Sequence, residues 1–198
     1  MEIVRHNPAA YLRSASGKGK FFSFSSNRAL QYATRVYHRR GLTQAVRYLE
    51  DTFWHNFKRH RGNEKKLKSL TQDLNLYGDE YEALGSTVAE IAKKLVIKVS
   101  TNISLGGEIS RVDLVNNGGY AVYLLRSVQS DWENELRMPL IQGYYADKLG
   151  APSAEVSVGV YCFETANHES KIFTSKDISE ARRELSEIAE ILEEERRK

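Results

Sequence analysis

The chain has 198 residues and a mass of 22.6 kDa, which suits one compact domain with or without an extension and excludes two full domains. Hydrophobic residues make up 41% and charged residues 28% of it, and no apolar run approaches the roughly 18 residues of a membrane span. The single cysteine, Cys162, excludes an internal disulfide and a four-cysteine zinc site or iron–sulfur cluster. The first residues contain no apolar segment typical of a secretory signal, so we expect an intracellular, cytoplasmic protein without a membrane partner.

Charge is distributed unevenly along the chain. Residues 1–70 contain 15 Lys and Arg against 4 Asp and Glu, a net charge of +11, whereas the remainder contains 14 against 22, a net charge of −8. A basic half of this kind is typical of a protein that binds a polyanion, and it also fits a solvated helix face. Neutralisation of phosphates needs such cations. The candidate nucleic-acid-binding residues are Arg35, Arg39, Arg40, Arg47, Lys58, Arg59 and Arg61.

The first half of the chain is predicted to be helical. Residues 1–26 are rich in Ser and Gly and predict a loop-rich lead-in. Thr43 is the predicted N-cap of the second helix, and the sequence Tyr77-Gly78-Asp79 predicts a break before the fourth. The fourth helix is predicted because apolar residues recur there at near-helical spacing. The predicted helices lie at residues 27–39, 43–61, 64–74 and 80–95.

After residue 95 the apolar residues adopt the two-residue period of strands. The remaining predicted elements are strands at 96–105, 108–115 and 120–128, a helix at 131–149, strands at 154–163 and 171–174, and a helix at 178–195. Asn116-Asn117-Gly118-Gly119 predicts a hairpin, because Asn and Gly tolerate positive φ. Gly150 is predicted to end the middle helix, and Pro139 either kinks that helix or marks its true start. We therefore predict a basic helical extension over residues 1–75 and an α/β core over residues 76–198.

Four segments of the predicted core hold distinctive residues in a fixed order. They are Gly85-Ser-Thr-Val-Ala-Glu-Ile91, Gly106-Gly-Glu-Ile-Ser-Arg-Val-Asp113, Tyr120-Ala-Val-Tyr-Leu-Leu-Arg-Ser127 and Glu135-Leu-Arg-Met-Pro-Leu-Ile-Gln-Gly-Tyr-Tyr145. Together they resemble the PD-(D/E)XK nuclease superfamily, and within it the RecB-like branch. There the four segments are a helix with a metal-binding His, a strand ending in a metal-binding Asp, a Glu-x-Lys strand and a Gln…Tyr helix. The resemblance implies a restriction-endonuclease-like core, in which helices flank a mixed central sheet.

The resemblance also implies which residues form the site. The catalytic positions that it assigns are Asp113, Arg126, Gln142 and Tyr145, with Tyr144 as the alternative to Tyr145. It makes Asp113 the metal ligand, and it places Leu124 where the family has Glu and Ala89 where the family has His. One carboxylate is a poor Mg²⁺ site, whereas Arg126 keeps a charge that binds phosphate. We therefore predict a DNA- or RNA-binding protein with a degenerate, inactive site and no cofactor.

Two alternatives stay open. In the first, the chain is an active Mg²⁺- or Mn²⁺-dependent nuclease whose second carboxylate has moved to Glu108, Glu90 or Glu135. In the second, it is a protein-interaction scaffold, as a homodimer for example, with no nucleic-acid partner. Individual residues have simpler interpretations as well: Arg126 pairs with Asp113 as a structural salt bridge, and Gln142 hydrogen-bonds Tyr145 or the sheet. Cys162 lies in an apolar run and is expected to be a buried small hydrophobe.

Overall fold

The computed structural model describes residues 25–116 and 118–197, in which helices cover both faces of a five-stranded sheet. The helices are α1 (Ser26–Arg40), α2 (Leu42–Asn56), α3 (Arg61–Leu84), α4 (Arg137–Leu149) and α5 (Ser175–Arg197). The strands are β1 (Thr87–Lys98), β2 (Ser104–Leu114), β3 (Tyr120–Arg126), β4 (Val156–Cys162) and β5 (Asn167–Lys171). Single 3₁₀ turns lie on either side of α4, at Trp132–Asn134 and Ser153–Glu155. Most of the predicted lead-in, residues 1–24, lies outside the described residues.

The sheet is mixed, with the strand order β1-β2-β3-β4-β5. The first three strands form an antiparallel meander, β4 runs parallel to β3, and β5 returns antiparallel to β4. A parallel pair needs a long crossover, and α4 supplies it between β3 and β4. Together with α3 before β1, the chain therefore follows the order αβββαβ, which is a mixed α/β fold.

Two apolar cores lie on opposite faces of the sheet. On one face Val112, Val122 and Val160 pack against α4, and a further apolar cluster joins α4 to α5. On the other face α1, α2 and α3 pack together over Tyr161 and Phe163 of the β4 end. Cys162 of β4 is buried as a free thiol, as expected of a small apolar side chain. No helix in the described part of the chain is both long and apolar enough to cross a membrane.

Helix α2 differs from its prediction at both ends. It begins at Leu42, directly after Gly41, so Thr43 lies inside the helix and is not its N-cap. Gly41 has a φ of 81°, a conformation open to glycine, which lets one helix end and the next begin without a longer loop. At the other end the chain leaves the helix at Phe57 rather than at residue 61, and the Phe57 ring packs 4.7 Å from the ring of Phe53.

A single helix of 24 residues, α3, replaces the predicted helix at 64–74 and the predicted break at Tyr77-Gly78-Asp79. It begins after His60, whose side chain accepts hydrogen bonds from backbone N–H groups of the first turn. Gly78 serves close packing and not a turn, because a Cβ atom there would lie 3.3 Å from Cε2 of Tyr37 on α1. The predicted boundary between residues 75 and 76 falls inside this helix.

The helix predicted at 80–95 is wrong, since α3 ends at Leu84 and the chain enters β1 at Thr87. The predicted strand at 96–105 is accordingly divided between the end of β1 and the start of β2. A register shift at Val88/Glu90 and a φ of 51° at Ala92 interrupt the two-residue alternation in β1. The apolar residues of this strand consequently recur at helix-like spacing, and pairing with β2 overrides the helical propensity of its Ala, Glu and Lys residues.

The second half of the chain follows the prediction more closely. The antiparallel β2–β3 hairpin is confirmed, as is the end of α4 at Gly150, which has a φ of 63°. Pro139 lies in the first turn of α4, which begins two residues earlier at Arg137, so the region from 131 is not one helix. The last strand lies at Asn167–Lys171 and not at 171–174, because its residues are polar and give no apolar signal.

Candidate functional site

Strands β2 and β3 separate partway along their length, which we call the β2–β3 fork. A pocket of about 380 Å³, the fork pocket, opens where they diverge. Their ladder ends at the pair Arg111–Tyr123, after which the backbone N–H of Leu125 donates to Ser110 Oγ at 3.1 Å. Beyond this point β2 continues against β1, and β3 continues against β4. Helix α1 and the start of α4 complete the walls. The residues that matter for its chemistry are Arg35, Glu108, Ser110, Leu124, Arg126 and Arg137.

Three arginines and two glutamates set the charge of this pocket. Arg35 of α1 pairs with Glu108 of β2. Arg126 of β3 and Arg137 at the start of α4 both pair with Glu135, the latter at 2.6 Å. Within the described chain, the buried Nε of Arg126 has no hydrogen-bond partner. The pocket therefore has an excess of positive charge.

Across the β2–β3 hairpin, the residue that pairs with Asp113 is Ala121 and not Leu124. The last pair of the ladder is Arg111–Tyr123, so Leu124 lies just beyond the paired segment. Side chains alternate along a strand, so Asp113 projects from the other face together with Arg111. Leu124 lies in the apolar core on the α4 side of the sheet. The expectation that Leu124 fills a ligand position beside Asp113 is therefore wrong.

Ala89 and Glu90 lie on β1 and not on a helix. Ala89 is exposed at the β1 bulge and is not among the residues that line the pocket. The prediction that Ala89 takes the place of the family's metal-binding His on a helix is therefore wrong. Glu90 accepts from Lys148 Nζ on α4 at 2.6 and 2.8 Å. This carboxylate is thus held in an ion pair at the other side of the sheet from Asp113.

Asp113 belongs to a buried polar network centred on Arg111. The side chains of Arg111 and Asp113 are 1% and 0% exposed. Arg111 Nε donates to Asp113 Oδ2 at 2.8 Å, Nη1 donates to the Tyr77 hydroxyl at 2.5 Å, and Nη2 lies 2.7 Å from His168 Nε2. The salt-bridge partner of Asp113 is therefore Arg111, and Arg126 pairs with Glu135 instead. This network ties α3 to β2 and β5.

Burial and the charge of Arg111 act on two histidines beside this network. The pKa of His38 and the pKa of His168 each fall to about 3, because burial and then the nearby guanidinium disfavour the protonated ring. His38 Nε2 lies 2.6 Å from the Tyr77 hydroxyl. Both rings are accordingly neutral at pH 7 and act as hydrogen-bonding groups of the interior.

Gln142 and Tyr145 of α4 are both buried and lie outside the described pocket lining. The Gln142 amide donates to the carbonyls of Ser153 and Phe173 at 2.9 Å each and accepts from the Phe173 N–H at 2.7 Å. Burial and the neighbouring carboxylate of Glu90 raise the pKa of Tyr145. In this arrangement Gln142 holds together the segments on either side of the β4–β5 hairpin.

The predicted basic residues divide among three places. Arg35 lines the pocket at the strand fork. A second group lines a cleft of about 370 Å³ between α1 and α2, next to Tyr48: Arg39, Arg40 and Arg47. A third group is exposed around the connection from α2 to α3: Lys58, Arg59 and Arg61. Arg35, Arg39 and Arg40 are neighbours on α1 and Arg47 lies on α2, whereas the third group follows the far end of α2.

The pocket residues do not fit a divalent cation. Mg²⁺ takes hard oxygen ligands in octahedral geometry, usually with at least one carboxylate. The lining residues Ser110 and Leu124 offer one hydroxyl and a hydrocarbon, and Glu108 and Glu135 are both paired with arginine. Across residues 25–116 and 118–197, no group of three His, Cys, Asp or Glu side chains is placed to hold a metal ion.

Sequence reasoning misses three residues that matter in the structure: Ser110, Arg111 and Arg137. Counting the register back from the hairpin turn pairs Arg111 with Tyr123, which would have brought the next residue, Ser110, close to the part of β3 that follows Tyr123. Likewise, an Arg and an Asp two positions apart on one strand share a face, which indicates that Arg111 pairs with Asp113. No local signal brings Arg137 to the pocket, because it approaches through the tertiary position of α4.

Comparison with known proteins gives a likeness in fold and none in activity. No protein-family model matches the chain, and no curated protein matches it. A protein of Eubacterium rectale, named "putative exonuclease", superposes with a TM-score of 0.53 at 9% identity, covering 94% of this chain and 73% of that one. A second solved structure, that of SSO0001, gives a TM-score of 0.34 at 8% identity over 96% and 85% of the two chains, which supports no argument. The first likeness shows a nuclease-like fold.

Proposed function

We propose that this protein binds nucleic acid on a RecB-like, PD-(D/E)XK nuclease fold without cleaving it. The observation that supports the proposal is the pocket at the β2–β3 fork, which Ser110, Leu124 and Arg126 line together. The αβββαβ order and the distant exonuclease likeness are consistent with such a fold. Loss of cleavage and retention of binding then follow from separate properties of the same pocket.

Loss of cleavage follows from the ligand positions. Hydrolysis of a phosphodiester by this class of nuclease needs a metal ion that activates water and neutralises charge on the phosphate. Leu124 contributes hydrocarbon to the apolar core, and Ser110 Oγ already accepts from the Leu125 N–H. Neither residue supplies an anionic oxygen, so the fork has no basis for holding that ion.

Retention of binding follows from the arginines. A guanidinium carries five N–H donors and binds phosphate oxygens in a bidentate manner. Glu135 has two oxygens, one contacted by Arg126 and the other by Arg137, so both arginines keep donors for another anion. The two glutamates also fix the orientation of the three guanidinium groups before a ligand arrives, which lowers the entropy lost on binding.

Fluorescence anisotropy with labelled oligonucleotides between 50 and 200 mM salt tests the proposal. We expect binding that weakens steeply with salt, because phosphate contacts release counterions. Arg126→Gln combined with Arg137→Gln should weaken binding about tenfold or more, whereas Arg183→Gln on α5 is a matched control that leaves it unchanged. The same oligonucleotides should remain intact on prolonged incubation with Mg²⁺ or Mn²⁺.

Three outcomes would overturn the proposal. Absence of binding to any nucleic acid at 50 mM salt would favour the scaffold alternative, particularly if the chain sediments as a dimer. Metal-dependent cleavage abolished by Glu108→Gln or Glu135→Gln would establish the nuclease alternative. Equal binding by the wild type and the Arg126/Arg137 variant would remove the pocket as the site.

A further inference from the structure

One face of α1 connects the pocket to the cleft. Arg28, Tyr32, Arg35 and Arg39 recur at intervals of four, three and four residues, which places them along one side of the helix. The guanidinium carbons of Arg28 and Arg35 lie 5.8 and 4.5 Å from the centroid of the Tyr32 ring, so the ring spaces the two cations. Arg35 belongs to the pocket and Arg39 to the cleft, about 6 Å apart along the helix axis.

The cleft has the composition of a site for one base and its phosphate. Arg39, Arg40 and Arg47 supply cations, and Tyr48, which is 38% exposed, supplies an aromatic ring. One carboxylate, that of Asp51, lies 4.0 Å from the Nε of Arg47, and both side chains are more than three-quarters exposed. Such a weak surface pair leaves Arg47 free to engage another anion. The cleft volume of about 370 Å³ lies within the range of small-ligand pockets.

We propose that α1 and α2 bind a single strand of nucleic acid, which crosses the exposed face of α1 from the cleft into the fork pocket, with a base stacked on Tyr48. This proposal rests on the proposed function and specifies its substrate class. From Arg28 to Arg39 the helix rises about 16 Å, which corresponds to about five nucleotides of a stacked strand. Ring stacking with a base requires an unpaired base whose face is accessible.

The surroundings of α1 argue against a duplex. A helix reads duplex DNA by entering the major groove, which is about 12 Å wide, and it has to protrude to do so. Here α2 flanks α1 on one side, and β2, β3 and the start of α4 flank it on the other, so its exposed face lies between two concavities. A flexible single strand can follow such a surface into both concavities. A rigid duplex would contact only the edges of the concavities.

The test compares one oligonucleotide sequence in single-stranded and duplex form, as DNA and as RNA, by fluorescence anisotropy at 100 mM salt. We expect one of the single strands to bind at least tenfold more tightly than its duplex. Tyr48→Ala should weaken single-strand binding about tenfold and leave duplex binding unchanged. Arg39→Ala combined with Arg47→Ala should weaken it and reduce the salt-dependence slope by about 1.4, since each phosphate contact in a single strand contributes about 0.7.

Arg183→Ala combined with Arg196→Ala is the matched control, because it removes the same charge from exposed positions of α5. Its affinity should stay within about twofold of the wild type. The four substituted basic residues and Tyr48 are exposed, so far-UV circular dichroism should show an unchanged fold. Equal or tighter duplex binding, or equal losses in the two double variants, would overturn this inference while leaving nucleic-acid binding itself standing. Failure to bind any oligonucleotide would overturn the proposed function as well.

Discussion

The burial of Arg111 and Asp113 is the strongest constraint at the level of single residues. Both side chains are essentially inaccessible, and each supplies hydrogen bonds that the other needs. Removal of one member of such a pair leaves an uncompensated charge in a medium of low dielectric constant. Asp113 is thus tied to the folded interior through its ion pair with Arg111.

We expect Asp113→Ala to lower the free energy of unfolding by about 3–5 kcal/mol, because Arg111 then loses its buried counter-ion. Urea denaturation followed by circular dichroism measures the change. The double variant Asp113→Leu with Arg111→Met should recover a large part of the loss, since an apolar pair leaves no buried charge. A fully stable Asp113→Ala protein that has lost nucleic-acid binding would contradict this assignment.

Residue types alone could predict part of the site. The basic character of residues 28–68 and the burial of Cys162 follow from charge and hydropathy. The placement of Asp113 beside Leu124 failed because side-chain face depends on register, and register depends on the number of residues in the hairpin loop. A miscount of one residue in a strand exchanges its two faces.

At the level of elements, the approach of β5 to β4 depends on Gly159. A Cβ atom at this position would lie 2.0 Å from the backbone oxygen of Glu169 and 2.8 Å from Cα of Ser170. Backbone atoms of a paired strand cannot move aside as a flexible side chain does. The glycine thus allows the last strand to pack where it does.

Gly159→Ala should lower the free energy of unfolding by about 3 kcal/mol or more, because the β4–β5 pairing has to shift. Gly106→Ala on β2 is the control, since a Cβ atom there meets nothing within 4 Å. Thermal denaturation of the two variants against the wild type provides the measurement. Equal melting temperatures for the two variants would show that β5 tolerates the displacement.

The elements of the chain were predictable to different degrees. The helices of the amphipathic segments and the β2–β3 hairpin follow from periodicity and turn residues. Strand β1 was predicted as a helix because its bulge interrupts the two-residue alternation. The full length of α3 was not predicted because Gly78 resembles a turn residue, although it allows close helix packing. In both cases a contact distant in sequence decides the local structure.

At the level of the whole molecule, the Arg111 network couples the helical layer to the sheet. His38 lies on α1, Tyr77 on α3, Arg111 on β2 and His168 on β5, so proton uptake by either histidine affects contacts between layers. Each histidine has a pKa near 3 in the folded protein and about 6.5 when unfolded. The unfolded chain therefore binds more protons between these values, and stability is lost as the pH falls from about 6.5 towards 3.

We expect the free energy of unfolding to fall between pH 7 and pH 5, with a slope of at most about 1.4 kcal/mol per pH unit for each histidine. Urea midpoints at pH 7, 6 and 5 measure this. In His168→Gln the slope should be roughly half that of the wild type, whereas substitution of the exposed His55 should leave it unchanged. An identical slope in His168→Gln and the wild type would contradict the coupling.

The pocket itself was beyond prediction from the sequence. Its walls come from α1, β2, β3 and α4, which span residues 31 to 137, and the fork that opens it is a property of sheet geometry. Charge patterning predicts a polyanion site in the basic first half of the chain, without saying where on the fold that site would lie. The convergence of Arg35 with Arg126 and Arg137 needed the three-dimensional structure.

The two outer strands of the sheet have a consequence for how copies of this chain behave together. β1 carries three ammonium groups, on Lys93, Lys94 and Lys98, and its bulge bends the strand. β5 is five residues long and polar throughout. Charged residues, a bulge and a short length are all features that prevent an edge strand from pairing with a strand of another molecule. Concentrated solutions should consequently resist fibre growth through the sheet, and any self-association has to use a helical surface instead.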